Sequence, residues 1–128
     1  MAKDYEVKIV ESWKDLSVRE RISIKNFNDA EPLDELTKDN TVQIDVANYV
    51  VCEVHNEMST ENKDYTKIVV VDKDGTRYAT GSKTFYRELT SIVEELKAEG
   101  DDGDFTINVY QRDSNNYKGK KFITCNLA

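Results

Sequence analysis

Residues Tyr65–Gly100 read YTKIVVVDKDGTRYATGSKTFYRELTSIVEELKAEG, and the way they divide decides the fold. The first part predicts a strand, a turn at Lys73-Asp74-Gly75 and a short return strand. Glycine in the third loop position suits the left-handed residue of a bulged three-residue hairpin turn. A helix follows. Ser82 can cap it, Phe85, Leu89, Ile92, Val93 and Leu96 recur at helical spacing, and Gly100 can end it.

Upstream, TVQIDVANYVVCEV (residues 41–54) reads as a long strand. Val42, Ile44, Val46, Val50, Cys52 and Val54 share one face; Gln43, Asp45, Tyr49, Val51 and Glu53 share the other. Before it, RERISIKNFN (19–28) has the period of a half-buried strand, with Ile22 and Ile24 inward and Arg21, Lys25 and Phe27 outward. A loop with the only proline joins the two. Downstream, DFTINVYQR and KKFITCNLA predict two closing strands. The order strand, strand, strand-with-hairpin, helix, strand, strand is that of a five-stranded OB-like barrel, mainly β with one helix (β-β-β-α-β-β).

Residues 19–128 are expected to form that domain, and 1–18 an N-terminal extension. Within the extension, Tyr5, Val7 and Ile9 alternate like an edge strand, Ser12 could cap a short helical turn, and Trp13 is expected to plug a core or meet a subunit. At 128 residues, one domain with a real core is the simplest reading. No apolar stretch approaches the ~20 residues of a membrane span, and no signal-peptide pattern opens the chain, so a soluble cytosolic protein is expected. Cys52 and Cys125 sit in strand-like runs without a C-x-x-C or His/Cys cluster, as buried reduced thiols would.

Nothing in the sequence builds a catalytic or metal constellation, and no enzyme activity or cofactor is expected. His55 stands in a polar stretch without a nucleophile arrangement. DKDGT from Asp72 resembles the start of a calcium loop, but glycine falls at the fourth position and Lys83 occupies the twelfth, where a bidentate Glu belongs. No phosphate-binding glycine motif is present.

The informative anomaly is the last hairpin. The chain is acidic, with 18 Lys+Arg against 25 Asp+Glu, yet Arg112, Lys118, Lys120 and Lys121 gather around one turn beside a single acid, Asp113. Pairing residues whose numbers sum to 232 puts Phe105 opposite Leu127, Ile107 opposite Cys125 and Val109 opposite Ile123, all on one face. The other face then holds Tyr110 opposite Phe122 and Arg112 opposite Lys120, topped by a loop with Tyr117 and Lys118. Burial favours Phe122 inside, but the alternation places it outside. Bases stack on exposed rings for about 1–3 kcal/mol each while neighbouring cations track phosphates. With Arg21, Lys25, Phe27 and Tyr49 outward on the preceding strands, the expected interface for a single strand comprises these residues and the hairpin. Cross-strand aromatic pairs also stabilise sheets without a ligand, which is the plainer alternative.

From about Ile22 onward the chain resembles the single-stranded DNA-binding proteins of φ29-like phages, which replicate linear DNA by protein priming. The stretches that carry the resemblance are ISIKNFNDAEPLDELTKDNTVQIDVANYVV, YTKIVVVDKDGTRYATGSKT with its helix, and FTINVYQRDSNNYKGKKFITCNL, in order over roughly four-fifths of the chain. The resemblance implies an OB-like fold and sequence-independent binding of strands displaced in phage DNA replication, in the cytoplasm of a bacterial host. Single-stranded DNA, phage replication proteins and a second copy of the chain are the partners it implies. The competing reading is a small acidic phage protein that disables a host protein, as a DNA mimic. Its support is the acid-rich run Glu94, Glu95, Glu99, Asp101, Asp102 and Asp104, although such a run is commonly a solvated helix end.

Overall fold

The hairpin turn forms as its glycine requires. The Asp72 N–H donates to the Thr76 carbonyl at 2.8 Å, and the Gly75 N–H donates to the Asp72 carbonyl at 2.9 Å. Gly75 has φ +93°, the left-handed region where a Cβ would be strained. The structure, a computed structural model, describes residues 5–26, 29–58, 63–100, 103, 105–113 and 121–128. In chain order these form β1 (Tyr5–Ser12), α1 (Val18–Lys25), β2 (Glu31–Pro32), α2 (Leu33–Leu36), β3 (Val42–Asn56), β4 (Asp64–Asp72), β5 (Arg77–Thr80), α3 (Lys83–Ala98), β6 (Phe105–Asp113) and β7 (Lys121–Leu127).

One sheet contains all seven strands, in the order β2-β5-β4-β3-β6-β7, with β1 on β3. The 15-residue β3 organises it. One edge pairs antiparallel with β4, while the other pairs with β6 over Val42–Val46 and with β1 over Val50–Asn56. The fold is mainly β, a curled, OB-like half-barrel with seven strands among the described residues where five are expected. Side chains bridge its open side. Gln111 Nε2 donates to the Asp34 carbonyl and to Thr37 Oγ1, both at 3.0 Å, Thr80 Oγ1 donates to Asp34 Oδ1 at 2.7 Å, and Ser82 Oγ donates to the Ile123 carbonyl at 3.2 Å. Leu33, fully buried, plugs the same opening.

The predicted helix is α3. Ser82 Oγ accepts from the Phe85 N–H at 3.2 Å, and Gly100 follows its end at φ +75°. Phe85, Leu89 and Val93 are buried against the sheet, and they join Ile44, Val46, Ile68, Val70, Ile107 and Val109 in the main core. Trp13 packs on this core as a plug, edge-on to Phe105 at 4.9 Å between ring centroids.

Three expectations for the N-terminal third change. Where a strand is expected over Arg19–Asn28, Val18–Lys25 instead forms α1, whose start is fixed by a capping box. Ser17 Oγ accepts from the Glu20 N–H at 3.2 Å, and the Glu20 carboxylate accepts from the Ser17 N–H at 3.1 Å. Two reciprocal caps outweigh a short alternation of β-branched residues. Only Ile24 of α1 is buried; Ile22, expected inward, is 66% exposed. Ser12 ends β1 rather than capping a helix. The segment expected to be an extension supplies β1, a strand of the same sheet.

The long strand also has different faces from those expected. A bulge between Val46 and Asn48 shifts the register against β4. One residue opposes two there, so the inward set switches from Ile44 and Val46 to Tyr49 and Val51. Buried Asn48 anchors the bulge, its Oδ1 accepting the N–H groups of Lys14 and Tyr49 at 2.9 Å each. Tyr49, expected outward, is therefore 3% exposed within the main core, and burial pushes its hydroxyl pKa up to about 12. Val50, Cys52 and Val54 turn to the opposite face, where they form a second core with Val7, Ile24, Val69 and Ala79. Arg77 reaches over this core to the Ser23 carbonyl and lies 3.7 Å from Asp29, which pins α1 down. Cys52 and Cys125 are buried free thiols, and burial raises their pKa values to about 11 and about 12. Both stay protonated and unreactive at neutral pH.

Candidate nucleic-acid interface

The candidate interface lies on β6 and β7. Their register pairs Ile107 with Leu127, Val109 with Cys125, Tyr110 with Thr124, Gln111 with Ile123 and Arg112 with Phe122. Every pair sums to 234, two residues from the expected register. Because side chains repeat with period two, a two-residue shift leaves each one on its expected face. Val109, Ile123 and Cys125 are buried, while Leu127 is carried to the open end of the hairpin and is 49% exposed.

On the outward face, Tyr110 and Phe122 lie diagonally rather than opposite, and each is half-buried. Thr124, opposite Tyr110, is only 6% exposed. Arg112, directly across from Phe122, is exposed. A phenyl ring beside a guanidinium on a sheet surface offers a base one stacking face and its phosphate one counter-charge. Lys121 is also exposed but falls on the same side as Gln111 and Ile123, past the end of the core.

A row of amides that the sequence reading did not single out extends this surface. Gln43 Nε2 donates to Asn108 Oδ1 at 3.3 Å, Asn108 Nδ2 to Asn126 Oδ1 at 3.1 Å, and Asn126 Nδ2 to Tyr110 Oη at 3.5 Å. The row crosses β3, β6 and β7 and ends at the ring of Tyr110. Amides carry no charge and present both donors and acceptors, so they can meet any base edge. Their signal is present in the sequence as the alternation of Asn108 with buried Ile107 and Val109, and of Asn126 with buried Cys125.

The remaining expected contacts divide into three groups. Tyr117, Lys118, Lys120 and Phe27 lie outside the described residues. Tyr49 is in the core and has no surface to offer. Arg21 and Lys25 are exposed, but one turn apart on α1 rather than on a strand beside the hairpin. His55 is not a bare surface histidine. Its Nδ1 lies 2.6 Å from Asp64 Oδ1 and its Nε2 2.7 Å from Glu57 Oε1, bridging the ends of β3 and β4. Hydrogen bonds to Asp64 and then Glu57 raise its pKa above the ordinary 6.5. Among the described residues no group of three or more His, Cys, Asp or Glu side chains could hold a metal ion, and no helix is long and apolar enough to cross a membrane.

Comparison with known proteins gives one result. The model of the family described as phage single-stranded DNA-binding protein matches residues 7–128. No curated protein and no solved structure matches the chain. The match covers the strand β1 from Val7, the half-barrel, α3 and the basic-aromatic hairpin together, and the chain belongs to the φ29-type phage single-stranded DNA-binding protein family.

Proposed function

We propose that this chain coats single DNA strands displaced during phage genome replication, without reading their sequence, and shields them from nucleases and re-pairing. It acts by binding rather than catalysis, in the cytoplasm of the infected bacterium. Phage replication proteins and further copies of the chain are its natural neighbours on the strand. The observation that supports this most is the outward face of β6 and β7. There Tyr110, Phe122 and Arg112 adjoin an uncharged amide row, a surface that stacks bases without selecting among them. Tyr117, Lys118 and Lys120 complete the proposed contact set, with Lys121 at the start of β7.

Titration of labelled oligo-dT and a duplex of equal length, each at two salt concentrations, tests this. Saturable binding that prefers the single strand is expected. Replacing Arg112, Lys118, Lys120 and Lys121 with Ala should weaken it and reduce the slope of log affinity against log salt by up to about 3, at about 0.7 per lost phosphate contact. An unchanged slope makes the cluster a solvated turn. Absence of binding to either oligonucleotide supports the host-protein inhibitor instead.

A further inference from the structure

At the far end of the sheet, β1, β3 and β4 sort their side chains by charge. Cross-strand pairing places Glu6 beside His55 and Asp64, and Lys8 beside Glu53 and Thr66, on the face that continues the main core. These residues, together with Val54 and Tyr65, line an open cleft of about 540 Å³ with three carboxylates in it. The opposite face of the same strands carries Tyr5, Val7 and Ile9 from β1, Cys52, Val54 and Asn56 from β3, and Tyr65 and Lys67 from β4. No carboxylate alternates onto that face over these residues.

The two rings there are unusually open for a sheet. Tyr5 is 48% and Tyr65 37% exposed, on either side of the β3 residues Val54 and Asn56, and Tyr65, after burial, helps to raise the Tyr5 pKa. Lys67 follows Tyr65 on the same face, opposite Cys52. Lys25, at the end of α1, is close enough to Cys52 to oppose the rise in its thiol pKa. Arg21 lies one turn back along α1, exposed. Two open rings with Lys67 on the same face, and Lys25 and Arg21 on α1, repeat the ring-and-cation chemistry of the final hairpin, and Tyr65 also borders the acidic cleft.

We infer that Tyr5, Tyr65 and Lys67, continued by Lys25 and Arg21 on α1, form a second contact surface for single-stranded nucleic acid. The inference rests on the single-strand reading and extends it. The two surfaces share the face of the sheet opposite the main core. They stand at opposite ends of β3, up to about 33 Å apart from Ile44 to Val54 at a rise of ~3.3 Å per residue. A strand long enough reaches both; a short one occupies the hairpin alone.

Binding is measured on oligo-dT of about 5 and about 20 nucleotides, one near the lower end of the ~4–16 nucleotides an OB fold covers and one beyond its upper end. Wild type should bind the longer strand much more tightly. The Tyr5→Ala/Tyr65→Ala double variant should lose roughly tenfold or more on the longer strand, with little change on the shorter one. Tyr5→Phe/Tyr65→Phe, which keeps the rings, should bind both as wild type does. Lys67→Ala should lower the salt slope on the longer strand by about 0.7. Unchanged affinity of the double Ala variant for both lengths, while Phe122→Ala is weakened, overturns the second surface and leaves the first. Equal losses on both lengths also overturn it. A wild type that binds neither length removes both readings.

Discussion

Phe85→Ala is expected to lower the unfolding free energy by about 3–5 kcal/mol, the range for deleting a buried aromatic ring. Phe85 is 0% exposed at the first turn of α3 and is the largest of the fully buried side chains. Its backbone N–H is held by Ser82, so the helix start cannot slide inward to fill the space. The residual cavity would open between α3 and the sheet, whose strands β3, β4, β6 and β7 this core joins. For a chain of this size the loss corresponds to a melting temperature lower by roughly 10–20 °C. Ile22→Ala, on the exposed side of α1, should change stability by no more than about 0.5 kcal/mol. Thermal and urea unfolding followed by circular dichroism compares the two. A Phe85→Ala loss below about 1 kcal/mol would mean that α3 is not packed on the sheet as described.

The second large effect separates stacking from packing at the interface. Phe122→Ala should weaken oligo-dT binding by about 1–3 kcal/mol, and Tyr110→Ala by a similar amount. Both rings are half-buried, so stability should fall by much less than the ~3–5 kcal/mol of a buried Phe. Tyr110 has a further role in holding the amide row, because its Oη accepts from Asn126. Tyr110→Phe should therefore keep most of the stacking affinity and lose only that contact. A large drop in melting temperature with binding per folded molecule intact would make the two rings structural.

The parts of this fold visible in the sequence are those fixed by local chemistry. Gly75 supplies a positive φ in a three-residue turn, Ser82 caps α3, and strict alternation orients Tyr110 and Phe122 even though the pairing register was two residues away. What the sequence hid were competitions between local and tertiary effects. Ile22 and Ile24 imitate a strand, and only Ser17 and Glu20, three residues apart, mark the helix that replaces it. The bulge after Val46 cannot be read from period-two alternation, because it breaks that alternation, and so Tyr49 was placed on the wrong face. The near-continuous runs Val50–Cys52 and Ile68–Val70 did carry a clue. A strand apolar on both sides is covered on both, here by the main core and by the layer around Ile24. The amide row depends on three strands from distant parts of the chain and emerges only once their order is known.

The central claim is that the outward face of β6 and β7 receives the single strand, and backbone amide shifts of ¹⁵N-labelled protein titrated with oligo-dT test it most directly. The largest changes are expected at Asn108, Tyr110, Arg112, Phe122, Thr124 and Asn126, joined by Tyr5, Tyr65 and Lys67 when the strand is long. Arg87, Glu94 and Lys97, exposed on α3, should stay silent. Shifts concentrated on α3, with β6 and β7 unmoved, would contradict the account.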